Sequence, residues 1–244
     1  MATCYRTQGI IFKKQDRSEA DRVFSVFTSE FGRLEIVARA IRKITSKLRG
    51  GIDIFSLSEI EFIQGKNCKT LTDSIAMEKF SNIIKDLSRL KILYEISEVL
   101  DNFIRGQEKD KLIFVLLKET FDKLNSLQLK TSGIQLIYYY FLWNFLSVTG
   151  YHPEIQKCAV CGGKLSPHNL YFSNKDGGII CKICSDFNAE AERVNSDIVK
   201  ILRLIFKKDW QVLFKLKVGS FSQNSFKEIS DNYYRYILSS HSYE

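Results

Sequence analysis

Phe31-Gly32-Arg33-Leu34-Glu35-Ile36-Val37-Ala38-Arg39-Ala40 is the stretch from which the fold is read. Phe31-Gly32 makes a turn. Leu34, Ile36 and Ala38 then alternate with Arg33, Glu35, Val37 and Arg39, the period of two that puts successive side chains on opposite faces of a strand. The pattern extends in both directions. Upstream, Gly9-Ile10-Ile11-Phe12 is an extended apolar segment, and residues 21–28 alternate in part through Val23, Phe24, Val26 and Phe27. Downstream, Phe55, Leu57, Ile60 and Phe62 alternate with a phase slip near Ser58, which a β-bulge accounts for. Gly65-Lys66-Asn67 turns the chain, and residues 68–76 return as a fifth strand. Five short strands with glycine turns predict a small closed barrel of the OB-fold type over residues 1–78.

After residue 78 the period becomes helical. Leu87, Leu90, Leu93 and Tyr94, then Ile96, Val99, Leu100 and Phe103, recur at three- and four-residue steps until Gly106. Leu112, Val115, Leu116 and Phe121 mark a second helix over 109–124. A third, over 132–149, is apolar on most faces and is stopped by Gly150 and Pro153. It is the expected centre of a helical body over 79–153. It contains Gln135 and Asn144 and lies in no clean 18-residue apolar block, so it reads as a buried helix and not a membrane span. Residues 154–193 form a cysteine module. Helical spacing returns over 194–208, a following segment ends at Gly219, and a last helix over 226–238 completes the body within 194–244. The expected fold class is α+β: a five-stranded OB-fold barrel, then an all-helical body with an inserted four-cysteine zinc module.

The chain has 244 residues, 45% of them hydrophobic, enough for a sizeable core in two or three modules. Its 36 basic and 28 acidic side chains leave a net charge of +8, which points to a polyanionic partner. The excess lies at the two ends, and residues 81–193 are close to neutral. Residues 33–49 alone carry Arg33, Arg39, Arg42, Lys43, Lys47 and Arg49 against Glu35. Thr45, Ser46, Gly50 and Gly51 make this a mobile loop, suited to follow a phosphate backbone and release its counterions. Lys13, Lys14, Arg17 and Arg22 extend the same surface. The bland alternative is a solvated loop with a chance run of charge. Among the aromatic residues, Tyr5 and Phe31 near strand ends are the best placed to stack on bases, and the sequence does not choose between them. Met1–Gln8 is polar and lacks the apolar core of an export signal, so a cytoplasmic location is expected.

Four of six cysteines cluster as Cys158-Ala-Val-Cys161-Gly162-Gly163 and Cys181-Lys-Ile-Cys184, with nineteen residues from Gly162 to Ile180 between the pairs. Each Cys-x-x-Cys puts two thiolates on one tight knuckle, and two knuckles supply the tetrahedral sulfur set that zinc accepts. Leu170–Phe172 and Ile179–Ile180 flank Asn174-Lys175-Asp176-Gly177-Gly178, a hairpin that brings the second knuckle beside the first. Lys164 and Lys182 offset the thiolate charge. With one structural zinc ion on four thiolates, the net charge becomes +6. A redox pair is the rival reading. Catalytic zinc is disfavoured, because four thiolates leave no position for water. His152 and His168 have no fitting partner pattern and read as surface or packing residues. Phosphate-loop, dinucleotide-binding, His-Glu-x-x-His and Gly-x-Ser-x-Gly patterns are absent, and the chain is expected not to be an enzyme. Glu59 and Glu61 share a strand face as edge protection.

The N-terminal motifs carry a more specific likeness. Tyr5-Arg6-Thr7-Gln8-Gly9-Ile10-Ile11 is followed by Glu19-Ala20-Asp21-Arg22 and Phe27-Thr28-Ser29-Glu30-Phe31-Gly32-Arg33-Leu34. Ala38-Arg39-Ala40-Ile41-Arg42-Lys43, Ser46-Lys47-Leu48-Arg49-Gly50 and Phe55-Ser56-Leu57 continue the match, together with the paired Cys-x-x-Cys. The chain resembles, over essentially its whole length, the bacterial RecO family of DNA recombination and repair proteins. The resemblance implies a nucleoid-associated mediator that binds single- and double-stranded DNA and anneals complementary strands. With RecR it would help load RecA onto DNA covered by single-strand-binding protein (SSB), contacting the acidic, hydrophobic-ended SSB tail, with RecF and RecA as indirect partners. By motif, Arg33, Arg39, Arg42, Lys43, Lys47 and Arg49 would contact DNA. The family often has Gly where Ala40 stands, and Pro at Ile44 or Thr45 and at Ile54. The competing class is a zinc-containing protein scaffold with incidental DNA binding.

Overall fold

The alternating N-terminal stretches form five strands in a computed structural model that describes residues 3–107, 109–126, 131–215 and 220–241. The chain divides into two units, residues 1–138 and 139–244.

In the first unit, β1 (Cys4–Asp16), β2 (Arg22–Thr28), β3 (Gly32–Ala38), β4 (Leu57–Gln64) and β5 (Lys69–Glu78) follow one another in the ring order β1-β2-β3-β5-β4, with β4 pairing back onto β1. Ile11, Phe24, Val26, Leu34, Ile36, Ala38, Ile60, Phe62 and Leu71 fill the ring, which is where the period of two placed most of them. The phase slip near Ser58 is the register shift between Leu57 and Ser58 on β4. A second shift, between Ile11 and Lys13, lets the long β1 curve past two partners.

The expected OB-fold barrel needs correction at one seam. Four seams are antiparallel ladders along their strands. β3 and β5 instead meet in parallel through only Ile36 with Lys69 and Val37 with Thr70. The ring is therefore barely joined on this side, unlike the evenly closed barrel that alternation implied. The cause lies in β5, where Leu71 is the only buried residue. Little apolar surface draws that strand along β3. The connection between β3 and β4 covers part of the gap. Gly51 runs so close to β5 that a Cβ there would lie 1.9 Å from the Ser74 carbonyl oxygen. Ser74 Oγ donates to the Leu48 carbonyl (3.3 Å) in the 3-10 turn Lys47–Gly50, and Ile41, Leu48 and Ile52 join the ring core. The basic segment, expected as a mobile loop, is thus fastened at three apolar points.

Helices α1 (Ser81–Ile84), α2 (Leu87–Phe103) and α3 (Lys111–Asn125) follow, and α4 (Thr131–Val148) begins in this unit. Asp86 and Asp110 cap α2 and α3 by accepting from the second and third backbone N–H groups of each helix. Phe55, at φ +58, sends a fully buried ring edge-on against Tyr94 of α2 and Phe121 of α3. Ser97 Oγ of α2 donates to the Phe12 carbonyl of β1 (2.8 Å).

The second unit holds the rest of α4, β6 (Leu170–Ser173), β7 (Gly178–Cys181), α5 (Lys182–Ser185), β8 (Glu192–Val194), α6 (Ser196–Lys207), α7 (Trp210–Lys215) and α8 (Ser220–His241). Its sheet runs β7-β6-β8. Val194, read from spacing as a helix start, belongs to β8, and Asn195 caps α6 through the N–H groups of Asp197 and Ile198. On α4, Trp143 Nε1 donates to Ser230 Oγ (3.0 Å) and its ring stacks on Tyr233 of α8. The segment end expected at Gly219 lies outside the described residues. Among the described residues no helix is long and apolar enough to cross a membrane.

Candidate nucleic-acid interface and metal centre

The ten basic side chains expected on a DNA surface fall into three settings. Arg33 and Lys13 are both tied to Asp101, Arg33 largely buried and Lys13 partly exposed. The Arg33 guanidinium, 15% exposed, donates to Asp101 Oδ1 (2.6 Å) and to the Ile104 carbonyl (2.6 Å), pairs with Glu35 (3.0 Å) and lies over the Phe12 ring. Lys13 Nζ donates to the same Asp101. Burial works against the Asp101 carboxylate, but hydrogen bonds from Lys13 and Arg33 hold it below the ordinary carboxylate range.

A second set rims a cavity of about 340 Å³ at one end of the ring, where Lys14, Arg22, Arg42 and Arg49 meet Asp53. Lys14 pairs with Asp53 (2.7 Å), and Asp16 takes Arg22 (2.7 Å) and Arg42 (3.4 Å). The Arg22 hydrogen bond holds Asp16 below its usual range. Two carboxylates for four cations leave this rim positive. Arg39, Lys43 and Lys47 continue it, exposed and without an ion-pair partner among the described residues. Ile44, 91% exposed, stands among them. The loop turns at Ala40, whose N–H donates to Asp21 Oδ1 (2.8 Å), while the Arg42 N–H donates to the Ala20 carbonyl (3.0 Å). Arg17, the third setting, stands apart and lines a different cavity. Tyr5 and Phe31 are half-buried, packing with Phe62 onto the ring core. Glu59 and Glu61 both pair with Arg6 across the β1–β4 seam.

In the second unit the cysteine spacing does what local geometry requires. Gly162, at φ +69, curls the first knuckle so that its N–H donates back to the Cys158 carbonyl (2.9 Å). The Ala159 N–H donates to the Ile179 carbonyl (2.8 Å), hooking the knuckle onto β7, and the β6–β7 pairing sets Leu170 opposite Cys181. All four sulfurs lie within 4.8 Å of one another. Cys161 and Cys181 are 3.9 Å apart, close to the edge of a tetrahedron of ~2.3 Å zinc–sulfur bonds, which is about 3.8 Å. Burial penalises a charged Cys158, yet the N–H groups of Cys161, Cys181 and Val160 around its sulfur bring its pKa down to about 6. Desolvation and the neighbouring thiols push Cys184 up to about 12. Four thiolates this close repel one another unless a cation sits among them, so the cluster can coordinate a metal ion. Lys182, expected to offset thiolate charge, pairs with Asp186 instead. His152 Nδ1 lies 2.8 Å from Ser147 Oγ and its ring packs on Phe206, so it serves packing.

Comparison with known proteins joins these two halves. The family described as recombination protein O, N terminal, matches residues 1–80, and recombination protein O, C terminal, matches residues 84–242. The chain belongs to the recombination protein O family. It is 32% identical to the DNA repair protein RecO of Dehalococcoides mccartyi over 88% of this chain and 83% of that protein. To the RecO proteins of Roseiflexus sp. and Caldanaerobacter subterraneus it is 28% and 27% identical, over 96% and 94% of this chain and 81% and 91% of theirs. RecO membership gives the chain a general role in DNA repair and recombination. RecO proteins are mediators, and as one of them the chain is not an enzyme.

The basic segment also holds a local strain. Ala40 adopts φ +52, a left-handed conformation that favours glycine. Two features of the first unit had no local signal. Asp101, which engages both Lys13 and Arg33, is far from them in sequence. Lys66, Lys69 and Arg105 come together with Arg17 only through the fold.

Proposed function

We propose that the chain binds single- and double-stranded DNA through the exposed cations around the 39–49 segment. It thereby anneals complementary strands and, with RecR, helps load RecA onto SSB-coated DNA. The observation that carries this reading is the rim of Lys14, Arg22, Arg42 and Arg49, continued by unpaired Arg39, Lys43 and Lys47. A positive surface of this kind neutralises phosphates without reading bases and lowers the repulsion between two strands. Arg33, largely buried, supports the rim from within, and Lys13, paired with Asp101 but partly exposed, stands beside it. The four cysteines, Cys158, Cys161, Cys181 and Cys184, hold one structural Zn2+ that fixes the module around β6 and β7.

The chemistry of one cavity in the second unit supports docking of the SSB tail there. A cavity of about 390 Å³ is walled by Ile155 and Phe206 and edged by His152, Gln156, Arg203, Lys207 and the Glu154 carboxylate, which is engaged by the Gln156 and Lys157 N–H groups. Arg203 donates to the Ile155 carbonyl (2.8 Å), while its buried Nε has no partner among the described residues. An apolar end with a carboxylate matches the apolar walls and the Arg203 and Lys207 edge.

The test is annealing of two complementary labelled strands, each precoated with SSB, with and without the protein. Acceleration that fades as salt rises is the expected result. No acceleration by a protein that still binds single strands would refute the mediator reading.

A further inference from the structure

The side of the ring where β3 and β5 barely join carries a second basic cleft, of about 430 Å³. It is separate from the rim described above. On β2, Arg22 and Phe24 line the rim cavity, whereas Val23 between them lines this cleft. The period of two therefore sets the two cavities on opposite faces of one strand.

Four cations converge on the cleft from parts of the chain that sequence spacing does not connect. Arg17 follows β1, Lys66 lies in the β4–β5 turn, Lys69 opens β5, and Arg105 follows α2. Arg33 fixes the last of these by holding the Ile104 carbonyl at 2.6 Å. The carboxylate in the lining, Glu35, is engaged by Arg33 and by Ser25 Oγ. Arg17, Lys66, Lys69 and Arg105 have no ion-pair partner among the described residues. Like charges gathered in a concave site repel one another, and an anion relieves that cost. Gln64, Asn67 and Gln107 add amide groups, which with Arg and Lys contact phosphate and sugar. No aromatic side chain lines the cleft, so it has nothing to stack a base on.

We propose that this cleft holds the phosphate backbone of a second nucleic-acid strand, so that one chain carries two strands on opposite faces of β2. The proposal rests on the reading of the first unit as a DNA binder. It supplies what annealing requires, two polyanions held side by side with their bases free.

Native mass spectrometry with two short non-complementary oligonucleotides of different mass tests it. The full-length protein should give particles of one chain with both oligonucleotides. The variant Lys66→Gln/Lys69→Gln/Arg105→Gln should keep the first and bind the second about tenfold more weakly or worse. Its second-site salt slope should fall by about 2, for three lost contacts at ~0.7 each on single strands. Lys66→Arg/Lys69→Arg, which keeps the charge, should retain both and guards against misfolding. A wild-type chain that never carries more than one oligonucleotide overturns the proposal alone, as does a Gln variant that binds both with unchanged affinity. A wild-type chain that binds none overturns it together with the DNA-binding reading.

Discussion

Arg33 and Arg39 are six residues apart at the two ends of one strand pattern, and their surroundings assign them different work. Arg33 is bound on several sides by Asp101, Glu35 and the Ile104 carbonyl, whereas Arg39 meets solvent. Arg33→Ala should lower stability by about 2 kcal/mol, between the values for exposed and buried pairs, because it strands part of the Asp101 charge. Arg39→Ala should change stability by less than about 0.5 kcal/mol and weaken DNA binding. Denaturant melts beside binding isotherms separate the two, and equal stability losses would show that Arg33 is no tie. The same carboxylate sets a pH dependence. Asp101 is held below its ordinary value, so its contribution is full above about pH 4 and is lost as pH falls through the lowered value. Asp101→Asn should therefore narrow the stability difference between about pH 6 and about pH 3; an unchanged difference would exclude the linkage. Ala40→Gly should add about 1 kcal/mol by relieving the left-handed backbone, seen as a higher melting temperature. A lower one would mean that the turn holds Ala without strain.

The elements were legible where their signals are local. Strand alternation from Arg33 to Ala38 and from Leu57 to Phe62 gave β3 and β4, because burial on one face leaves a period of two in the sequence. The cysteine pairs were legible for the same reason: a knuckle is four residues long, and the hairpin that joins the two has its own glycines. β8 left no signal, since three residues are too few to show a period. The weak β3–β5 seam was hidden because pairing in parallel over two residues is decided by what β5 lacks, buried side chains, and not by a motif. The metal reading makes a prediction at this scale. Reduced protein purified without chelator should contain about one zinc per chain. Its removal should expose the amides of Ala159, Ile179 and Cys181 to hydrogen exchange, since these bond within or beside the cluster. Metal-free protein with the same protection would refute a structural ion.

For the whole molecule, the net charge of +8 is a sum that conceals how the charges are used. Composition indicated a polyanionic partner and the motif string indicated a RecO protein, and the family comparison bears out the second. Which cations remain available was not readable, because their partners come from distant parts of the chain. Asp101 pairs with Lys13 and the largely buried Arg33, Asp16 and Asp53 partly neutralise the rim, and Arg39, Lys43, Lys47 and Arg49 have no ion-pair partner among the described residues. The exposed segment should therefore dominate the electrostatic part of DNA binding. The direct measurement is the salt dependence of single-strand affinity for the wild type and for Arg39→Ala/Arg42→Ala/Lys43→Ala. The triple variant should lose affinity about equally across sequences, with a slope of log K against log salt shallower by about 2, three phosphate contacts at ~0.7 each. A folded variant with unchanged affinity and unchanged slope would contradict the assignment of this segment as the DNA surface.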